Sequence, residues 1–404
     1  MLLVLARKNI WRNKKRSLII LTAIALGLWA GLFSVSISIG VWESTINTTI
    51  DRNLSHIQIH TNEFKDEGLI SNFISDGNSI IEQIRKDGMI KEVSGRVLIE
   101  GMASSPTSSG GVNIIGINPE REREVTTIST YIQNGDFFES DKKNSIVIGQ
   151  KLADKLGLKL GSKMVLSFQS IDTTLTYAAF RIIGIFKTES SIFDQSNVFV
   201  NSTNLYSIME SQQIVCEIAI RLKSSSDLDL VYLTLVKNHP DLLVETWKQL
   251  APELEFTYEM LILELEIFLG IILAALLFGI TNTMLMSVMD RVREFGVLMA
   301  VGMKRIRVFL LILIETFILS VFGGIIGITL GALTIWYFSD KGIDLSIFAE
   351  GLNAWGMPTQ MYPMLPLYFY FILVIMIIIT AIIAAIYPSI KTIKLRPAEA
   401  IRTY

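Results

Sequence analysis

The sequence predicts a membrane protein of four transmembrane α-helices with a large α+β extracytoplasmic domain between the first and second. Three observations carry this. Half of the 404 residues are hydrophobic, and mean hydropathy is +0.47. The apolar residues gather in four stretches nearly free of charge, 17–42, 267–289, 308–339 and 366–387. Each is near or above the ~20 residues that cross a bilayer core of ~30 Å. Between the first two lies a polar segment of about 210 residues, long enough to bury its own core.

Residues 1–16 hold Arg7, Lys8, Arg12, Lys14, Lys15 and Arg16 and no acid, which marks a cytoplasmic amphipathic segment. Its 3–13 stretch suits the membrane surface, with Trp11 at headgroup level. Residues 17–42 form the first transmembrane helix, longer than the ~7–15 apolar residues of a signal peptide and so retained.

The extracytoplasmic domain is expected over 43–257, its character changing at 46–53. Strands are expected at 56–60, 93–100, 111–117, 145–149, 164–168, 180–186, 197–200 and 216–222. Helices are expected at 79–86, 151–156, 203–209 and 228–238, with Gly157 as a helix stop and Asn118-Pro119 as a turn. Residues 45–95 and 190–255 are expected to pair as one lobe, with 96–189 inserted.

The second transmembrane helix covers 258–289, followed by a cytoplasmic coupling helix and loop at 290–307. The third helix covers 308–339, an extracytoplasmic loop 340–365, the fourth helix 366–388 and a cytoplasmic tail 389–404. Orientation follows the positive charges. The 290–307 loop carries Arg291, Arg293, Lys304, Arg305 and Arg307, and the tail Lys391, Lys394, Arg396 and Arg402, whereas 340–365 has only Lys341 beside three acids.

Residues 290–302 are the most informative stretch. Val288, Val292, Phe295 and Met299 form one apolar helical stripe, with Arg291, Arg293 and Glu294 off it and Gly302 where the helix stops. A rigid charged helix between two spans suits a machine pressed by a separate soluble motor. Glycines at 323, 327 and 331, and at 27 and 31, form small-residue ridges that let helix backbones approach closely. Packing within one subunit and between two both remain open. Glu315 is the one acid well inside a hydrophobic run, ~12 Å deep by helix rise, within reach of Arg305 or Arg307. A packing and anchoring role is the expectation.

Catalytic signatures are not found. The run Gly157-Leu-Lys-Leu-Gly161-Ser-Lys163 is one residue short of a phosphate loop. His56 and His60 would lie ~13 Å apart on a strand, too far to share a metal. The single cysteine, Cys216, excludes an intrachain disulfide. The expectation is no metal, no bound cofactor, no enzymatic activity and no nucleic-acid partner.

The run Asn282-Thr-Met-Leu-Met-Ser-Val-Met-Asp-Arg-Val-Arg-Glu-Phe-Gly-Val-Leu-Met-Ala-Val-Gly-Met303 resembles the signature of the FtsX-like permeases of ABC transporters. The tail from Tyr387-Pro to Arg-Pro-Ala-Glu-Ala-Ile-Arg402 is similar to that family's ending. The blocks 146–161 and 180–186 look like a MacB-type periplasmic domain, and 6–16 and 55–60 resemble the lipoprotein-releasing LolC/LolE branch. That branch's LolC type carries a hairpin hook, whereas only 169–179 joins the matching strands here. The resemblance implies mechanotransmission. A separate ATPase dimer, which binds the ATP and magnesium, would press on Arg291, Arg293, Glu294, Phe295, Gly296, Met299 and Gly302. A second permease subunit, membrane lipid and a periplasmic carrier or adaptor are the other implied partners. The implied place is the bacterial inner membrane, with both termini cytoplasmic. The implied work is extraction of lipoproteins or another amphipathic substrate from the outer leaflet. MacB-like efflux of peptides or drugs and FtsX-like control of cell-wall hydrolases are the alternatives.

Overall fold

The computed structural model describes residues 2–12, 14–139, 143–354, 357 and 359–393. Lys394, Arg396, Arg402 and the family-like ending from residue 394 onward lie outside the described residues. The chain divides into a helical unit, Met1–Trp42, Tyr258–Asp344 and Gln360–Tyr404, and an α+β unit, Glu43–Thr257 with Leu345–Thr359.

Among the described residues four helices are long and apolar enough to cross a membrane: Ser17–Leu54, Pro252–Asp290, Arg305–Lys341 and Leu367–Ile393. Two shorter helices, Leu2–Arg12 and Val292–Ala300, belong to the same unit. The glycine ridge of the third membrane helix packs on the first within this chain. A Cβ at Gly327 would stand 2.8 Å from the Ala25 carbonyl oxygen, and one at Gly323 3.0 Å from the Ile24 Cβ. Gly331 meets Leu32, and on the first helix Gly27 and Gly31 receive Leu276 and Ile272 of the second. These five glycines therefore serve contacts inside one subunit. Pro388 removes an N–H inside the fourth helix, which frees the Ala384 carbonyl four residues back. The Thr281 hydroxyl donates to that carbonyl at 3.3 Å.

The first helix does not end where its hydrophobicity does. It runs as α-helix from Lys14 to Thr49 and widens into a π-turn at Ile50–Leu54. The change of character expected at 46–53 marks loss of apolar residues rather than loss of helix. At the turn's end Ser55 takes φ +60°, rare for a residue with a Cβ.

Among the described residues the α+β unit has ten strands: β1 (Ile57–His60), β2 (Ile90–Ser104), β3 (Ser109–Ile117), β4 (Ile132–Gly135), β5 (Ser145–Gly149), β6 (Lys163–Gln169), β7 (Leu175–Phe186), β8 (Asn197–Asn201), β9 (Glu217–Leu222) and β10 (Leu243–Thr246). Their order is β10-β1-β9-β2-β3-β8-β5-β7-β4, and β6 pairs both β2 and β7. The second pairing of β6 closes β2, β3, β8, β5, β7 and β6 into a barrel. Alternate residues such as Val97, Ile99, Ile114, Leu166 and Val200 fill it. The fifteen-residue β2 serves both lobes. Its first half pairs β9 through Arg96, and its second half pairs β3 from Val97.

Two expectations change here. The inserted lobe extends through β8, because Asn113–Ile117 pairs in parallel with Asn197–Asn201. Asn118-Pro119 starts a helix, Pro119–Val125, with the Asn118 side chain accepting from the N–H groups of Glu120 and Arg121. Asn as N-cap and Pro at the first helical position is a helix-start signal as well as a turn signal. The phosphate-loop look-alike is a helix stop at Gly157 (φ +65°) and a turn at Gly161 (φ +83°) leading into β6.

The candidate coupling segment

The helix Val292–Ala300 follows the second membrane helix after one residue, Arg291, whose φ of −112° breaks the helical run. Its apolar stripe faces this chain's own core. Val288 and Phe295 are buried with Ile280, Met284, Val308, Leu311 and Ile312, Met299 packs at the edge, and Val292 is buried too. The end is a Schellman motif. The Met303 N–H donates to the Leu298 carbonyl and the Gly302 N–H to the Met299 carbonyl, with Gly302 at φ +100°.

Arg291 lies inside rather than on the polar surface. It is 5 % exposed, and its Nη1 donates to both carboxylate oxygens of Glu315 at 3.1 Å. Its Nε donates to Glu294 at 3.1 Å, and its guanidinium lies 5.0 Å from the centre of the Phe295 ring. Arg305 and Arg307, expected as partners of Glu315, are exposed instead. The Asn9 side chain also hydrogen-bonds Glu315, and Arg12 pairs with Glu294. Partial burial pushes the Glu294 carboxyl up, but the bonds from Arg12 and Arg291 outweigh it and hold it below the usual carboxylate range. A charged chain, Arg12–Glu294–Arg291–Glu315, thus ties the N-terminal helix, the coupling segment and the third membrane helix together.

This placement divides the seven residues expected to meet an ATPase. Arg291, Phe295 and Gly296 are buried in the chain's own packing rather than on its surface. Arg293, Glu294 and Gly302 are exposed and Met299 is partly so. Val297 (47 % exposed) and Val301 (84 %) join the outward face. An apolar–charged alternation could have suggested them, but the burial of Arg291 depends on an acid 24 positions away.

The end of the first helix is a second convergence, within the α+β unit. The Asp51 carbonyl accepts from the Thr127 N–H at 2.8 Å, and the Asp51 carboxylate pairs with Arg221. The Asn53 carbonyl accepts from Arg96 at 2.8 Å and the Leu54 carbonyl from the Gln58 amide at 2.9 Å. Strands β1, β2 and β9 and the segment before β4 all hold this turn. Arg96 itself is 2 % exposed and donates to Glu122 and Glu217, each at 2.6 Å. Burial alone would lower its pKa, but the two carboxylates outweigh that and raise it.

Two family models match this chain. One of the FtsX-like permease C-terminal type covers residues 266–397, and one of the MacB-like periplasmic core domain covers residues 17–232. The lipoprotein-releasing system transmembrane protein LolC of Xylella fastidiosa is 22% identical over 338 residues, 79% of this chain and 78% of that protein. LolE of Haemophilus influenzae is 19% identical over 405 residues, 95% of this chain and 94% of the relative. The macrolide export ATP-binding/permease protein MacB of Escherichia coli is 23% identical over 372 residues, 87% of this chain but 54% of its own length.

Proposed function

Because the chain belongs to the FtsX-like permease family of ABC transporters and carries a MacB-like periplasmic core domain, we propose that it works by mechanotransmission. It is a permease subunit rather than an enzyme, and members of its family work with a cytoplasmic ABC ATPase. In our reading the separate ATPase dimer, charged with ATP and magnesium, closes against Arg293, Glu294, Val297 and Val301. The Arg291–Glu315 pair passes that push to the third membrane helix. The glycine ridge passes it to the first.

The observation that carries the reading is the unbroken first helix. Its 38 residues, Ser17–Leu54, span roughly 57 Å at 1.5 Å each, well beyond a ~30 Å bilayer core. The helix runs from the apolar stretch to Thr49 and through the π-turn Ile50–Leu54, whose Asp51 and Asn53 are held by Thr127, Arg221 and Arg96. Movement is delivered outside the membrane, in the inner-membrane orientation that places both termini in the cytoplasm and the α+β unit in the periplasm. A second permease subunit completes the work.

Similarity to LolC and LolE over most of the chain supports a lipoprotein or another amphipathic molecule of the outer leaflet as substrate. Here β6 and β7 turn within 170–174, which leaves no extended hook for a carrier. Efflux of a small molecule or peptide through a periplasmic adaptor is the second reading, favoured by the similarity to MacB.

The test combines Glu294→Lys with Gly302→Leu. The variant inserts normally, while co-purification of the ATPase and substrate-stimulated hydrolysis both drop at least tenfold. Unchanged binding and unchanged stimulation would remove the coupling role. Mass spectrometry of what co-purifies with the wild-type complex identifies the substrate.

A further inference from the structure

We infer that the cleft between the two lobes of the α+β unit binds a short extended peptide bearing a basic side chain. The cleft has a volume of 330 Å³, within the range of small-ligand sites. Its floor is the outer face of the barrel, where Glu100, Asn113 and Asn197 stand side by side on β2, β3 and β8. Its far wall comes from β1 and the helix Asn62–Glu67, with Gln58, Phe64 and Lys65.

Charge decides the ligand. Of the two cations that line the cleft, Arg96 is buried and committed to Glu122 and Glu217, while Lys65 pairs with Glu245 at 3.0 Å with its side chain 42 % exposed. Glu217 is committed in turn to Arg96 and His60. Glu100 is exposed on the floor and has no ion pair among the described residues. Its carboxylate is left to an incoming group, where it favours a cation and repels an anion.

The neighbouring carboxamides say what accompanies that cation. The Asn113 amide donates to the Asn197 side-chain oxygen at 3.3 Å, and Asn197 donates to the Phe193 carbonyl at 3.1 Å. That leaves the Asn113 oxygen as an acceptor beside the carboxylate, matched to a backbone N–H. Three strands at ~4.8 Å spacing give a polar row ~10 Å long, the reach of three extended residues. Leu98, Ile115 and Phe64 supply apolar contact between the polar points. The cleft is preformed, because Arg96 sits where β2 leaves one lobe for the other and is bonded to groups on both sides.

The inference rests on the cleft alone and stands or falls separately from the transport reading. The test titrates the full-length protein, in lipid nanodiscs without ATPase, with acetyl-Gly-Lys-Gly-amide, acetyl-Gly-Gln-Gly-amide and butylamine. The lysine peptide binds about tenfold more tightly than the glutamine peptide, a difference of one charge-assisted contact. Glu100→Gln erases that preference without weakening the glutamine peptide, and Glu100→Asp restores it. Asn113→Ala weakens both peptides about threefold. Butylamine does not displace the peptide at equal concentration. The inference is overturned if neither peptide binds, if Glu100→Gln keeps the preference, or if butylamine competes equally and the site recognises only an amine.

Discussion

Both units of this protein bury an arginine between two glutamates, and the two arrangements differ in what surrounds the acids. Arg96 in the α+β unit meets Glu122 and Glu217, which are 1 % and 5 % exposed and themselves bonded by Ser94, Thr126 and His60. Arg291 in the helical unit meets Glu315, equally buried, and Glu294, whose side chain is 45 % exposed and shared with Arg12. The first has no route to another partner without leaving a buried charge alone. The second has one acid at the surface, where solvent and a docked chain compete for it. Similar chemistry thus makes a fixed hub in one unit and an exchangeable joint in the other. The proposed mechanotransmission would use both: a domain that moves as one piece, and a contact that yields when pressed.

Breaking the hub is the largest effect this comparison foresees. Arg96→Ala strands Glu122 and Glu217 in the interior, a loss of about 3–5 kcal/mol by comparison with other buried pairs. Denaturant or thermal unfolding of the full-length protein in detergent would show it as a collapse of the β signal at much milder conditions. A loss under ~1 kcal/mol, the scale of a surface pair, would mean that Arg96 is not a hub.

His56 gives a smaller, pH-dependent version. Burial, then the nearby Arg221, lower its pKa to about 4, and its Nδ1 accepts the Leu222 N–H. The folded state therefore holds the ring neutral while the unfolded chain protonates it near 6.5. Its contribution is complete above pH 6.5 and disappears as pH falls towards 4, on the order of 2–3 kcal/mol in full. Asp194 works in the opposite direction. Burial raises it to about 6, so the folded state holds a proton between about pH 4 and 6 that the unfolded chain has lost, and that term gains as pH falls. Comparing wild type with His56→Asn between pH 7.5 and 4.5 isolates the histidine. The variant's stability should fall less steeply with acid, and parallel curves would refute the assignment.

Gly302→Leu alone sharpens the other side of the comparison. At φ +100° a leucine costs about 1–2 kcal/mol, enough to fray the end of the coupling segment without unfolding the membrane helices. Proteolysis near 298–303 should rise several-fold while the Arg96 hub melts unchanged. Equal protection would show that the Schellman motif is not what ends this helix.

The same contrast explains what could be read from the sequence. The four membrane helices were legible because a bilayer demands a crude, local property, a run of apolar residues. Gly157 and Gly302 were legible because left-handed helix stops strongly favour glycine. The helix Pro119–Val125 was misread, since Asn-Pro signals both a turn and a capped helix start. The extension of the first helix beyond residue 42 was hidden because polarity reports departure from lipid, not the end of hydrogen bonding. The burial of Arg291 was illegible in a local pattern. An arginine beside an apolar stripe reads as surface until Glu315, on another helix, is brought to it. The interlobe cleft was invisible for the same reason, as Glu100, Asn113 and Asn197 meet only through strand pairing.

The central claim is that force travels along the first helix. Ser44→Pro puts a proline in that helix just beyond the apolar stretch, where it removes a backbone hydrogen bond and kinks the rod. Spin labels at Thr107, on the exposed β2–β3 turn, report the distance between two permease subunits reconstituted with the ATPase. In the otherwise unchanged protein, ATP should shift that distance. With Ser44→Pro, ATP hydrolysis should persist while the ATP-dependent shift disappears. An undiminished shift in the proline variant would contradict the account, and a route through the other helices would have to replace it.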